Sequence, residues 1–329
     1  MDDDRLQKII DAVMKELEQA GLLSLPHTPA PHPAPAGQRG KVEIGSLVPS
    51  GKIPSPGYMQ AAQELEIDLP YPTLPVQRGL SGVENAADAE GLQALMRTTP
   101  ARIGIGRAGV RYRTSDWLLF QGDHAITQDA LMREVDEQYL ANLGLFSVQT
   151  RITGGKEEYL LRPDLGRQLD EQARRAIQER CVQKPNVQVC VGDGLSAAAI
   201  EANLGKIIPV LYSGFQSVGL SLGTPFFIRY CRVGVMNDIG DLLQPDVLIL
   251  LIGERPGLGR AESMSAYMAY QPHSGHSDAD REVICNIYDQ GGTNPLEAGA
   301  YVVQLAQKML LLQASGVKMR LLETEKGGG

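Results

Sequence analysis

Val247-Leu248-Ile249-Leu250-Leu251-Ile252, followed at once by Gly253-Glu254-Arg255-Pro256-Gly257, decides how this chain folds. Six consecutive apolar residues leave no polar face, so the run cannot be a strand with one side in water. Its length suits a central strand of a parallel sheet, covered by helices on both faces. A charged, glycine-flanked loop then leaves the strand's C-terminal end. Parallel sheets bind ligands at that end, which makes the loop the first candidate site.

Working outward, the same logic finds a second strand at Val187-Gln188-Val189-Cys190-Val191. It ends at Asp193-Gly194, and Ser196 opens a helix through Ala197 and Ile200. Phe226 to Val235 reads as a further strand. Glu297 to Gln313 reads as a closing helix, with Val302, Leu305, Ala306 and Met309 inward and Gly316 just past its end. Asp164 is placed to cap a helix that carries Leu169, Ala173, Ile177 and Cys181 on one face. Leu92 to Arg97 is helical, and Thr114 or Ser115 caps a helix through Trp117, Leu118, Ala125 and Leu131. Strand and helix in alternation predict an α/β, Rossmann-like doubly wound domain over residues 79–319.

The rest of the chain differs in composition. In residues 1–25, Leu6, Ile9, Ile10, Val13 and Leu17 recur at helical spacing between charged residues, which predicts a short amphipathic helix. Residues 26–78 form a proline-rich linker: eleven of the chain's twenty prolines fall between Pro26 and Pro75. Residues 320–329 read as a flexible, glycine-rich tail.

With 43% hydrophobic residues, the 329-residue chain can bury a sizeable core. A net charge of -8 argues against nucleic acid or an anionic membrane as partner. No apolar run reaches membrane-spanning length, and the acidic start at Asp2-Asp3-Asp4 does not resemble a secretory leader, so a soluble cytoplasmic location is expected. Cys181, Cys190, Cys231 and Cys285 form no CxxC pair, so neither a zinc site nor a disulfide framework is suggested.

Four motifs invite chemistry. Gly104-Ile105-Gly106-Arg107-Ala108-Gly109 satisfies GxGxxG. Only three residues separate it from Pro100, so no buried strand feeds the turn, and a packing or contact loop is preferred to a dinucleotide site. Gly253 to Gly259 lacks the Lys-Ser/Thr of a phosphate loop but presents two charges at a strand end, which need partners. Asp193-Gly194-Leu195-Ser196 lies at a second strand end, where Asp193 is either a base or part of a cap and turn. His273-Ser274-Gly275-His276 with Asp278 and Asp280 reads as a solvated loop rather than a metal site. His124 falls within a helix. No catalytic triad order, HExxH or nucleophile elbow appears, so no catalytic and no metal-ligating residue is assigned to this chain.

Taken together, Pro100 to Thr114, Asp193-Gly194-Leu195-Ser196, Gly223-Thr224-Pro225-Phe226-Phe227, Ile252 to Gly259 and Gly291-Gly292-Thr293 resemble, in order, the small (light) subunit of ethanolamine ammonia-lyase. The resemblance implies an adenosylcobalamin-dependent, carbon–nitrogen lyase that converts ethanolamine to acetaldehyde and ammonia by a radical route. It implies a TIM-barrel large subunit that carries the substrate site, with the Rossmann-like small subunit supporting cobalamin in a hetero-oligomer. The family's cobalamin contacts fall on Val233, Glu254 and Val283. Val283 stands where relatives can carry cysteine, and Cys285 and Tyr288 also depart from the family's pattern. The Asp-x-His-x-x-Gly string of histidine-ligated cobalamin proteins is absent, so the cofactor is expected base-on, with no cobalt ligand from this chain. Residues 1–25 and their linker resemble the tails that package enzymes into ethanolamine-utilisation microcompartments, which sets a shell contact beside packing on the chain's own domain as the two readings. Two alternatives stand beside this one: an NAD(P)-binding oxidoreductase using Gly104 to Gly109, and a non-catalytic corrinoid-binding scaffold.

Overall fold

A computed structural model describes residues 81–327 except positions 100, 259 and 290. The amphipathic helix expected in 1–25 and the linker expected in 26–78 lie outside the described residues. Those described begin with α1 (Ala89–Thr98), the short strands β1 (Arg107–Ala108) and β2 (Arg111–Tyr112), α2 (Thr114–Met132) and α3 (Glu137–Asn142). Then come β3 (Phe146–Gln149), α4 (Gly155–Leu161), α5 (Glu171–Arg180), β4 (Val187–Gly192) and α6 (Ala197–Ser217). The chain continues through β5 (Phe226–Arg229), α7 (Val235–Leu243), β6 (Val247–Gly253), β7 (Met264–Tyr270), β8 (Arg281–Ile287), α8 (Pro295–Leu312) and α9 (Gly316–Gly327).

Six strands form one mixed sheet in the order β3-β5-β4-β6-β7-β8. The first four run parallel, and β7 and β8 return antiparallel to β6. The α/β expectation holds, while the parallel sheet carries two antiparallel strands that the sequence did not announce. Every residue of β4 and β6 is buried. Alternation then sorts them: Val247, Ile249 and Leu251 pack with α6 and α8 on one face, and Leu248, Leu250 and Ile252 pack with α5 and α7 on the other. Covering both faces is what permits a strand with no polar side.

The chain steps one place from β4 to β5 through α6, then back past β4 to β6 through α7. Opposite steps put α6 and α7 on opposite faces, as the handedness of crossovers demands. Loops after β4 and β5 therefore diverge and leave a crevice between them.

Several boundaries differ from expectation. The strand read from Phe226 to Val235 stops at Arg229, because Tyr230 turns to φ 55 and Val235 already opens α7. Asp170, not Asp164, caps α5 by accepting from the Ala173 N–H at 2.6 Å, although Leu169, Ala173, Ile177 and Cys181 do share the buried face. At the start of α2, Arg113 occupies the cap position and makes no side-chain cap bond, so neither Thr114 nor Ser115 is the cap. The closing helix ends at Gln313 in the left-handed region, and Gly316 opens α9. That helix runs to Gly327, through residues expected as a loose tail; Arg320 pairs with Glu282 at 3.0 Å and holds it to β8. Among the described residues, no helix is long and apolar enough to cross a membrane.

Candidate functional site

The crevice predicted by the switch in crossover direction is present. A cavity of about 200 Å3 opens beyond the C-terminal ends of β4, β5 and β6. Gly194 and Leu195 line it from the loop after β4, and Cys231, Arg232 and Val233 from the loop after β5. Ile252, Gly253, Glu254 and Arg255 come from the end of β6, with Ser265 and Tyr267 from β7 and Tyr159 from α4.

Two loops picked out in the sequence meet here. Leu195 donates its N–H to the Gly253 carbonyl at 3.1 Å. Gly194 sits at φ 56, and a Cβ on it would overlap the Gly253 carbonyl oxygen. A Cβ on Gly253 would in turn overlap the Ser196 and Asp193 carbonyl oxygens. Backbones this close admit only glycine at both positions.

Glu254 is held rigidly. Its Oε2 accepts from the Ser263 hydroxyl at 2.7 Å, and its Oε1 accepts from the Ser265 hydroxyl and from the Asn286 N–H at 2.9 Å. A carboxylate has about four lone-pair directions. Three are filled, so one direction on Oε2 is left for a ligand donor. Arg255, next in the chain, is exposed and has no ion-pair partner among the described residues.

Of the three residues assigned from the resemblance, Val233 and Glu254 line one cavity. Val283 does not line it: it lies on β8 opposite Tyr267 of β7 and is 46% exposed, beside the crevice rather than in it.

Asp193 belongs to the turn before α6, its carbonyl accepting from the Ser196 N–H at 3.3 Å, but its side chain is not the helix cap. Ser196 caps α6, accepting from the Ala199 N–H at 3.2 Å. The Asp193 carboxylate is buried and accepts from the N–H groups of Tyr230 at 2.9 Å and Cys231 at 2.8 Å, with the Lys156 ammonium 3.0 Å away. Burial, with Asp193 nearby, drives the Tyr159 hydroxyl and the Cys231 thiol far above their ordinary ranges. Tyr230 is pushed up to about 12, by burial and by its bond to Glu134. These groups keep their protons at neutral pH.

The other motifs stand elsewhere. Gly104 to Gly109 runs into a hairpin, β1 pairing antiparallel with β2 around Gly109-Val110. No strand-to-helix turn forms, so the geometry of a dinucleotide site is missing. His124 is exposed on α2. The His273 and His276 rings lie 3.8 Å apart beyond Tyr270, which pairs with Val247 at the start of β6. They therefore sit at the end of the sheet opposite Glu254. Among the described residues, no three metal-ligating side chains come together. A larger hollow of about 440 Å3, lined by Lys184, Asp241, Asp246, Gln271 and His273, lies at that same far end.

The loop Glu254–Ser263 owes its position to side chains spread over three other stretches of the chain. Ser196 donates to the Ala261 carbonyl, Asn203 to the Glu262 carbonyl at 2.7 Å, and Thr127 to the Gly257 carbonyl at 3.0 Å. Arg102, ion-paired with Asp123, donates to the Leu258 carbonyl at 3.2 Å.

Comparison with known proteins agrees with the resemblance. The family model described as "Ethanolamine ammonia-lyase light chain (EutC)" matches residues 89–320. A protein of Fusobacterium nucleatum subsp. nucleatum named ethanolamine ammonia-lyase small subunit is 46% identical over 244 residues, 74% of this chain and 82% of that one. One of the same name from Clostridium perfringens is 45% identical over 238 residues, 72% of this chain and 80% of that one.

Proposed function

The chain belongs to the ethanolamine ammonia-lyase light-chain family, and on that premise we propose that it is the small subunit of an adenosylcobalamin-dependent lyase that converts ethanolamine to acetaldehyde and ammonia. In this reading a TIM-barrel large subunit carries the substrate and the catalytic residues. The Rossmann-like domain of this chain supports the cofactor at the interface of the hetero-oligomer.

One observation carries the reading: the crevice at the switch point, with the Glu254 carboxylate fixed by three donors and one acceptor direction left open. Cobalamin's rim bears carboxamides, which donate through N–H and accept through C=O. Glu254 suits the donors, and Arg255 suits the acceptors. A cavity of about 200 Å3 is too small for the whole cofactor, since even drug-sized ligands fill roughly 300–1,000 Å3. The residues thus fit an edge of the group, and the rest of it falls to the large subunit. Val233 offers an apolar wall, and Val283 a second apolar surface beside it. When bound, adenosylcobalamin supplies the radical-generating cobalt–carbon bond, which no side chain can replace. This chain's part is to hold and orient.

The cofactor is base-on in this reading, with no cobalt ligand from this chain, since the sequence lacks the Asp-x-His-x-x-Gly string. Nitrogen hyperfine coupling from a protein histidine of this chain, in the cob(II)alamin EPR spectrum of the complex, would overturn that. In this reading residues 1–25 contact a microcompartment shell, the alternative being a helix packed on the chain's own domain, and on the shell reading deleting them should release the enzyme without loss of activity. Unchanged co-localisation would sink the docking role.

Glu254→Gln tests the site itself. Charged acceptors contribute about 1.5–3 kcal/mol, which corresponds to roughly 10- to 100-fold in affinity. Hydroxocobalamin titrated into the assembled two-subunit complex should bind the variant that much more weakly. Equal dissociation constants would remove Glu254 from the site.

A further inference from the structure

We infer that Lys156 is a positioning residue of the crevice: paired with Asp193 beneath it, Lys156 sets the loop that carries Arg232 and Val233. The inference rests on the crevice being the cofactor shelf, and extends it to a lysine that no motif singled out.

Lys156 on α4 reaches Asp193 Oδ2 at 3.0 Å, and both side chains are 4% exposed. A buried ion pair stabilises a structure only when its remaining hydrogen-bonding sites are filled. On the carboxylate, the Tyr230 N–H fills a further site on Oδ2 and the Cys231 N–H one on Oδ1. Those are the two residues at which β5 breaks off. Tyr230 stands at φ 55, a left-handed conformation that persists in a tyrosine only where its surroundings hold it.

The surroundings are all in place. The Lys156 ammonium lies 5.3 Å from the Tyr159 ring centre and 5.7 Å from that of Tyr230, close enough for both faces to attract it. Tyr159 donates its hydroxyl to the Cys231 carbonyl at 2.7 Å, and Tyr230 donates its own to Glu134 at 2.6 Å. Arg232 follows directly, its guanidinium 4.1 Å from the Tyr159 ring centre, and Val233 follows it to the cavity wall.

Without the ammonium, a buried carboxylate would face two N–H groups with no counter-charge. It would take up a proton or draw in water. A protonated Asp193 turns one oxygen into a donor, and one N–H then loses its acceptor. Tyr230 relaxes from φ 55, and Arg232 and Val233 shift away from the face that Glu254 presents.

The test uses Lys156→Met in the assembled two-subunit complex, far below its melting temperature. Amide hydrogen exchange over 229–233 needs no cofactor, and hydroxocobalamin titration reads the shelf. Loss of one buried hydrogen bond should speed exchange at Tyr230 and Cys231 by about tenfold or more, and raise the hydroxocobalamin dissociation constant by about tenfold or more, with assembly by gel filtration intact. A lower melting temperature with unchanged exchange and unchanged affinity would mean a merely structural lysine and overturn the inference. If Lys156→Met does not fold, the isosteric Asp193→Asn should give the same two effects, and unchanged Cys231 exchange there would overturn it equally. If the unsubstituted complex fails to bind hydroxocobalamin, the shelf reading falls, while the exchange data still decide whether Lys156 sets the loop.

Discussion

Replacing Gly194 with alanine should unfold the chain more easily and spoil the crevice together. Two terms add. Gly194 lies at φ 56, and placing an L-residue in that region costs about 1–2 kcal/mol. A Cβ would also overlap the Gly253 carbonyl oxygen and come to 2.7 Å from Ile252 Cγ1. Neither neighbour can swing aside: one is backbone, and the other is packed in the core. Relief of such overlap costs about 1–3 kcal/mol. The sum, roughly 2–5 kcal/mol, is a large part of a domain's stability. Gly109→Ala is the control, because Gly109 sits at φ 64 but a Cβ there meets nothing within 4 Å. Urea unfolding followed by far-UV circular dichroism gives both values, and the difference between the variants isolates the overlap. If Gly194→Ala costs no more than Gly109→Ala, the loops after β4 and β6 are not in contact and the crevice is not built as described.

Three further outcomes follow from other parts of the molecule. Leu250→Ala removes a fully buried side chain from the centre of β6, and should cost about 2–5 kcal/mol by the same urea measurement. Three thiols are buried: Cys181 is pushed up to about 11, and Cys190 and Cys231 well above the ordinary range, by burial, while Cys285 is exposed. A thiol reagent at pH 8 should therefore modify Cys285 quickly and the other three only after unfolding. Glu158 accepts from the Gly154 and Thr153 N–H groups at 2.6 and 2.7 Å, which lowers its pKa from 4.5. Its folded-state pKa lies below the unfolded one, so its stabilising effect is full above pH 4.5 and fades as pH falls through the folded value. Glu158→Gln should lower the urea midpoint at pH 7, and the gap to the parent should narrow under acid.

Much of this architecture is legible in the residues because burial on both faces writes itself as unbroken apolar runs. β6 announces itself that way, β4 nearly so with Gln188 as its one interruption, and Ser196 marks the start of α6. β7 and β8 do not: Met264 to Tyr270 mixes small, polar and aromatic residues, and Arg281 to Ile287 places charges at the start of the sheet's last strand. That return path supplies Ser263, Ser265 and Asn286, the three partners of Glu254, so the carboxylate's fixation could not be seen before the strands were paired. The end of β5 is hidden in the sequence for a related reason. Tyr230 breaks the strand under the pull of Asp193, 37 residues earlier in the chain, and local propensity records no such distant acceptor. Lys156 sits in an unremarkable run, Gly154-Gly155-Lys156-Glu157-Glu158, where a lysine ordinarily points to water. Only the fold shows it buried.

A cryo-EM map of the assembled complex with bound cobalamin tests the central claim most directly. The account predicts a corrin carboxamide within hydrogen-bonding distance of Glu254 Oε2, with Val233 and Val283 against the same edge of the cofactor. Cobalamin density wholly within the large subunit, or at the far end of the sheet near Lys184 and Gln271, would contradict it.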